Sequence, residues 1–132
     1  MEDCIFCKII KKEIPASIVF ENNNILAFLD INPVNKGHVL VIPKEHYETY
    51  FEAPDELLSE MAPIIKKLGK AVKKATNCDF CVVNVYGIDV PHLHIHIIPR
   101  FHNDGLRAWP AKKYADAEET NKFKELIVEN LD

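Results

Sequence analysis

The order of elements along the chain predicts an α+β domain: a mostly antiparallel five-stranded sheet with a long helix and a C-terminal helix, the helices lying on one side. One apolar stripe at helical spacing runs through Asp55 to Ala75, made of Leu57, Leu58, Met61, Ile64, Ile65, Leu68, Ala71, Val72 and Ala75. Short apolar runs bounded by Asn, Gly and Pro flank that helix on both sides. The last run, His92-Leu93-His94-Ile95-His96-Ile97-Ile98, alternates imidazoles with apolar side chains, the period of a strand.

In chain order, Cys4 to Lys12 reads as a tight turn entering a short helix. Ser17 to Glu21 and Ile25 to Asp30 read as a hairpin around the turn Asn22-Asn23-Asn24. Pro33 to Gly37 turns into a third strand, His38 to Ile42. Pro63 falls inside the long helix and is expected to kink it or move its start. Phe80 to Tyr86 is the fourth strand, Leu93 to Arg100 the fifth, and Glu118 to Leu131 the terminal helix. With no repeat or linker, residues 1–132 read as one domain, with the motifs in 4–100 and a tail over 101–132.

Composition excludes several roles. The chain has 132 residues, 48% apolar and 27% charged, with a formal net charge of −4, ordinary for a soluble domain. No basic stripe offsets that charge, which argues against a nucleic-acid polymer as partner. Lys66, Lys67, Lys70, Lys73 and Lys74 recur at helical spacing and read as a solvated helix face. No apolar run approaches the roughly 20 residues a membrane helix needs. The acidic start, Met1-Glu2-Asp3, lacks a signal-peptide pattern. A cytoplasmic location is expected, with cysteines as reduced thiols or metal ligands.

The histidine run carries the chemistry. In a strand, His92, His94 and His96 share one face, with Leu93, Ile95 and Ile97 on the other. Neighbouring rings are then roughly 6.6 Å apart and the outer pair roughly 13 Å. Two such rings can converge on one ion and three cannot, so the three are expected to have different jobs. A neutral imidazole can attack phosphorus directly if its other nitrogen is held. Phosphate oxygens then need donors; Asn84 is a candidate, with a strand-end amide as the plainer alternative. Gly87 would let the following loop approach a ligand closely. There is no G-x-x-x-x-G-K-[ST] loop and no tight carboxylate cluster demanding magnesium.

His92 to Ile98 matches the H-φ-H-φ-H-φ-φ signature of the histidine-triad (HIT) family of nucleotidyl hydrolases and transferases. Cys4-Ile5-Phe6-Cys7-Lys8-Ile9-Ile10, Ala27-Phe28-Leu29-Asp30-Ile31, Lys36-Gly37-His38 through Lys44, and Pro99-Arg100 also resemble that family, in the same order. The resemblance implies that His94 is the nucleophile toward an α-phosphate. It implies that His96 contacts phosphate and assists the leaving group, that Asp30 holds the ribose hydroxyls, and that Asn84 faces phosphate. His38 would support the catalytic ring. Ile5, Phe6, Ile9, Ile14, Phe28, Ile31 and Leu40 would surround a purine, some of them serving as core as well. The resemblance further implies a homodimer with the two sheets joined. Trp109-Pro110 resembles a C-terminal tryptophan that approaches the partner's site, with a satellite core role as the alternative.

Cys4-x-x-Cys7 is a zinc half-site that two histidines could complete. Resemblance to the zinc-containing, Hint-like branch implies His46 and His92 and a structural zinc. The rival set is Cys4, Cys7, Cys78 and Cys81, because Cys78-Asp79-Phe80-Cys81 is a second C-x-x-C. The loop Val85 to Pro91 departs from the family: it is shorter, with Ile88 where glutamine often stands and Asp89 where a hydroxyl often stands. A carboxylate there would repel phosphate if it pointed inward. The expected activity is cleavage of purine nucleoside phosphoramidates through a nucleotidyl-histidine. A dinucleoside polyphosphate hydrolase and a zinc-stabilised nucleotide-binding protein with negligible catalysis remain alternatives.

Overall fold

Runs that are apolar on both faces build the centre of the sheet. The structure is a computed structural model and describes residues 3–106 and 111–131. Trp109-Pro110 lies outside these residues. The strands β1 (Ile18–Glu21), β2 (Ile25–Leu29), β3 (Val39–Pro43), β4 (Phe80–Asn84) and β5 (Ile95–Arg100) form one sheet in the order β1-β2-β3-β5-β4. Every pairing is antiparallel. Among the described residues three α-helices accompany it: α1 (Ile5–Ile10), α2 (Asp55–Thr76) and α3 (Ala117–Glu129). The predicted α+β class and five-stranded sheet are observed.

The alternating period of each strand splits the core into two layers. Ile25, Ala27, Val39, Val41, Leu93, Ile95 and Ile97 face α2 and pack on Met61, Leu68 and Val72. Leu26, Phe28, Leu40 and Ile42 face the other way and pack on Phe6 and Ile9 of α1. The expectation of helices on one side is therefore corrected. The central strands are buried on both faces, and α1 covers the surface that α2 leaves open. α3 starts on an Asp116 side-chain cap and buries no residue of its own.

The long helix runs through Pro63 without a break. Pro63 and the upstream Ser59 are both exposed, so water can satisfy the carbonyl that the missing N–H leaves free. Acidic Asp55 and Glu56 open the helix and Lys73 and Lys74 close it, each at the end its charge favours. Ala71 and Ala75 belong to the predicted stripe but lie exposed at its edge. Gly37 is required where it stands: its φ is +102°, and a Cβ there would come 2.5 Å from Thr76 Cγ2. The close approach ties the turn before β3 to the end of α2.

The fifth strand starts at Ile95 instead of Leu93, and the fourth ends at Asn84 instead of Tyr86. The ladders run out there, with Val41↔Ile95 on one side and Asn84↔His96 on the other. Upstream, Leu93 N–H turns to the Tyr47 carbonyl and His92 N–H to that of Val90. The alternation of faces nevertheless continues from His92 through Ile97.

Candidate active site and metal centre

His92, His94 and His96 all project to the α1 face. Phe6 stands edge-on to His94 and His92, with ring centroids 5.1 and 5.9 Å away, and to Phe28 at 5.6 Å. All three histidines are buried, as is His38. Four imidazoles in apolar surroundings would be costly if unpartnered, and their hydrogen bonds fix both partners and tautomers.

His94 Nδ1 lies 2.8 Å from the carbonyl of His92. A carbonyl only accepts, so Nδ1 carries the proton and Nε2 keeps a free lone pair. A second chain starts at Val34, whose backbone N–H donates to His38 Nδ1 at 3.1 Å. His38 must then carry its proton on Nε2, which lies 2.9 Å from His96 Nδ1. His96 accepts there, which leaves its own proton on Nε2. That Nε2 is buried without a partner, and so is Oδ1 of Asn84. The two residues are directly opposed across β4 and β5, so the orphaned atoms sit on the same face. Buried polar atoms rarely stay unpaired, and two together on the site face mark where a polar ligand fits. Rotating the Asn84 amide by half a turn would present Nδ2–H there.

Burial, then the neighbouring His94 and His38, push His96 down to about 4, with Asp30 and Asp89 opposing. His38 is lowered by burial too, against the pull of Asp30. Neutral rings are what the relay requires, because a protonated His96 would point a donor at the His38 donor. Asp30, His38 and His96 lie within 4.8 Å of one another, but this trio does not fit a metal. The lone pairs of the two rings are already committed to N–H donors. Asp30 holds the Asn32 N–H on Oδ1 at 2.8 Å and places Oδ2 3.7 Å from His38 Nε2.

A second cluster does fit a metal. Ligand atoms of Cys4, Cys7, His46 and His92 all lie within 4.8 Å of one another. His92 Nε2–H donates to the Pro43 carbonyl at 2.9 Å, which turns the Nδ1 lone pair into the cluster. That Nδ1 is 3.1 Å from His46 Nδ1, 3.3 Å from Cys4 Sγ and 3.5 Å from Cys7 Sγ. Cys7 Sγ is 3.3 Å from His46 Nδ1. Tetrahedral zinc, with bonds of about 2.3 Å to sulfur and 2.0 Å to nitrogen, has edges of about 3.5 Å (S–N) and 3.3 Å (N–N). These four spacings match edges of such a shell, and the remaining two, Cys4 to Cys7 and Cys4 to His46, lie within 4.8 Å. Cys4 caps α1, and its sulfur also accepts the Cys7 N–H. Without an ion, burial and the Cys4 thiol push the Cys7 thiol up to about 11, so metal uptake must release protons.

The rival four-cysteine set is not assembled. Cys78 and Cys81 have their sulfurs 3.7 Å apart, but Cys81 packs into the α2 layer, with its thiol directed at the Gly69 carbonyl. Cys4 and Cys7 lie in the opposite layer, and the sheet stands between the pairs.

The structure also sorts the apolar set expected around a purine. Phe6, Ile9, Phe28 and Leu40 are nearly closed off, Ile5 is partly open and Ile31 is 88% exposed. Sequence reading missed the backbone partners, namely the carbonyls of His92 and Pro43 and the Val34 N–H, which no side-chain motif records. It also missed Tyr86, whose ring stands edge-on to His96 at 6.5 Å.

Comparison with known proteins agrees with this geometry. The profile of the HIT domain family matches residues 11–103. The adenosine 5'-monophosphoramidase of Saccharomyces cerevisiae is 43% identical over 131 residues, covering 94% of this chain and 80% of the yeast protein. A Streptococcus mutans crystal structure superposes with a TM-score of 0.92 at 35% identity, covering 100% of this chain and 87% of the other. A zinc-bound histidine triad family protein from Mycobacterium smegmatis gives 0.74 at 28% identity, covering 98% and 99%. The family profile spans most of the chain and includes the histidine run, so this protein belongs to the HIT domain family.

Proposed function

We propose that this protein is a nucleotidyl hydrolase that cleaves purine nucleoside phosphoramidates or related nucleotide conjugates through a nucleotidyl-histidine. The observation that carries the reading is the free Nε2 lone pair of His94, held by the His92 carbonyl beside the orphaned His96 Nε2–H and Asn84 amide. Binding alone needs no nucleophile so prepared. The yeast relative's name supports the substrate class.

In this reading His94 Nε2 forms a bond to the α-phosphorus as the bond to the leaving nitrogen breaks. The electron pair goes to that nitrogen, which takes a proton from water. His96 stays neutral and donates a hydrogen bond to a phosphate oxygen, with Asn84 beside it. Water then attacks phosphorus and releases His94. Asp30 holds the ribose. Ile5 and Ile31 offer surface to the purine, backed by Phe6, Ile9, Phe28 and Leu40, and His38 supports His96. Cys4, Cys7, His46 and His92 would hold a structural zinc, a closed shell that fixes α1 against the histidine segment. The zinc-bound M. smegmatis protein supports that choice of ion.

The edge strand β4 exposes Phe80 and Val83, and the segment just after it exposes Val85 and Tyr86, which supports a homodimer joined through that edge. The partner on this reading is a small nucleotide, with no role for a nucleic-acid polymer. No helix among the described residues is long and apolar enough to cross a membrane. The free cysteines suit a reducing compartment such as the cytoplasm.

The test is turnover of adenosine phosphoramidate by the parent and by His94→Ala. A parent activity that falls about a thousandfold or more in the variant is expected. An inactive parent that still binds nucleotide would replace this reading with the binding-protein alternative. Turnover confined to diadenosine polyphosphates would replace the substrate class alone.

A further inference from the structure

Asp89 is the one charged side chain in the loop 85–91, and that loop is pinned to the site at both ends. Asn84 opposes His96 just before it, and Tyr86 stands edge-on to His96. At the far end the Val90 carbonyl accepts the His92 N–H at 2.8 Å, and Val90 packs against the layer that holds Phe6 and Phe28. Gly87 makes the turn between them at φ +73°. Ile88 and Asp89 stand at the tip between those ends, and both are exposed. Among the described residues Asp89 has no ion-pair partner. The anchoring of the loop beside His96 keeps its carboxylate near the site, where it opposes, behind Asp30, the lowering of His96.

The other carboxylate, Asp30, stands on the opposite side. The sheet order places the end of β2, with Asp30, to one side of His96 on β5, and the end of β4, with the loop, to the other. If the nucleoside lies over Asp30 and α1, the group leaving phosphorus departs toward Asp89.

We propose that Asp89 is a specificity-determining residue that disfavours anionic leaving groups, such as a further phosphate, and favours amines. This rests on the function proposed above and names the side of the site that selects among its substrates. Asp89 touches no reacting atom; it acts through its field. A leaving nitrogen that takes its proton as the P–N bond breaks carries partial positive charge in the transition state, before the bond's electron pair neutralises it, and a nearby carboxylate stabilises that charge. A departing phosphate meets like charge instead.

The test compares AMP with the non-hydrolysable α,β-methylene analogue of ADP, by calorimetric titration of the parent and of Asp89→Asn at low and high salt. The variant is expected to improve the affinity for the ADP analogue relative to AMP by about three- to tenfold, with the gain shrinking in high salt. Turnover of adenosine phosphoramidate relative to diadenosine tetraphosphate should fall in the same variant. An unchanged affinity ratio overturns the assignment, and so does failure of the parent to bind either nucleotide. Loss of the proposed function is read separately, from an inactive parent, because the affinity ratio needs no turnover.

Discussion

Replacing His38 tests the tautomer relay directly. His38 accepts the Val34 N–H on Nδ1 and donates from Nε2 to His96 Nδ1 at 2.9 Å. His38→Leu fills similar space and removes both contacts. It leaves His96 Nδ1 buried without a donor, at a cost of about 1–3 kcal/mol, and strips a partly buried N–H of its acceptor for about 1 kcal/mol more. Stability should therefore fall by about 2–4 kcal/mol in urea unfolding. His38→Gln can place an amide N–H near the former Nε2 and keep the donor to His96, while still losing the Val34 bond. If the His96 proton on Nε2 bonds to phosphate, releasing its tautomer should lower kcat/KM about 10- to 100-fold in His38→Leu. His38→Gln should recover most of that loss. Long-range proton–nitrogen correlation spectra of labelled protein report the tautomer: the parent should show His96 protonated on Nε2, and His38→Leu a mixture. A parent His96 protonated on Nδ1 would refute the reasoning, and so would equal activity in the two variants.

Three further outcomes are expected. Cys4→Ser and His46→Asn should lose bound zinc and melt at lower temperature than the parent, whereas Cys78→Ser should keep its zinc by metal analysis; equal zinc in all of them would sink the proposed ligand set. Because His96 sits at about 4 when folded against 6.5 unfolded, the unfolded chain binds its proton first. Its contribution is full above pH 6.5 and is lost as pH falls toward 4, about 3 kcal/mol in all, so the parent should lose more stability over that window than His96→Asn. Gly37→Ala should cost about 2–4 kcal/mol in the urea midpoint, since the added methyl meets Thr76 at a positive φ.

The strand count, the long helix and the side chains that gather at the site were legible because each rests on a local period or motif. Alternation alone places His92, His94 and His96 on one face, and it still holds upstream of Ile95, where the ladder has stopped. Three things were hidden. The C-x-x-C at Cys78 looks as good a zinc half-site as the one at Cys4, and only the sheet between them separates the two. Runs such as Ile25 to Phe28, buried on both faces, do not reveal that a six-residue helix caps one of them. Tautomers depend on backbone atoms of Val34, Pro43 and His92, whose approach is a tertiary fact with no residue-type signature.

The spacing i, i+2 also explains why the two centres share one segment. The His92 ring turns into the cluster of Cys4, Cys7 and His46, while its carbonyl accepts the proton of His94 Nδ1. One residue therefore belongs to the candidate metal cluster by its side chain and holds the His94 ring by its backbone. Pro43 reinforces this. Its carbonyl takes the His92 Nε2–H, and as the last residue of β3 it stands where the ladder to β5 has already ended. Freed from strand pairing, residues 92–94 take their positions from the ring of His92, the Val90 carbonyl and the Tyr47 carbonyl. A disturbance of Cys4 or Cys7 should thus reach His94 through the peptide of His92, without any contact between the cysteines and a nucleotide. The cluster of Cys4, Cys7, His46 and His92 is thus an anchor for a His94 that stands outside the ladder.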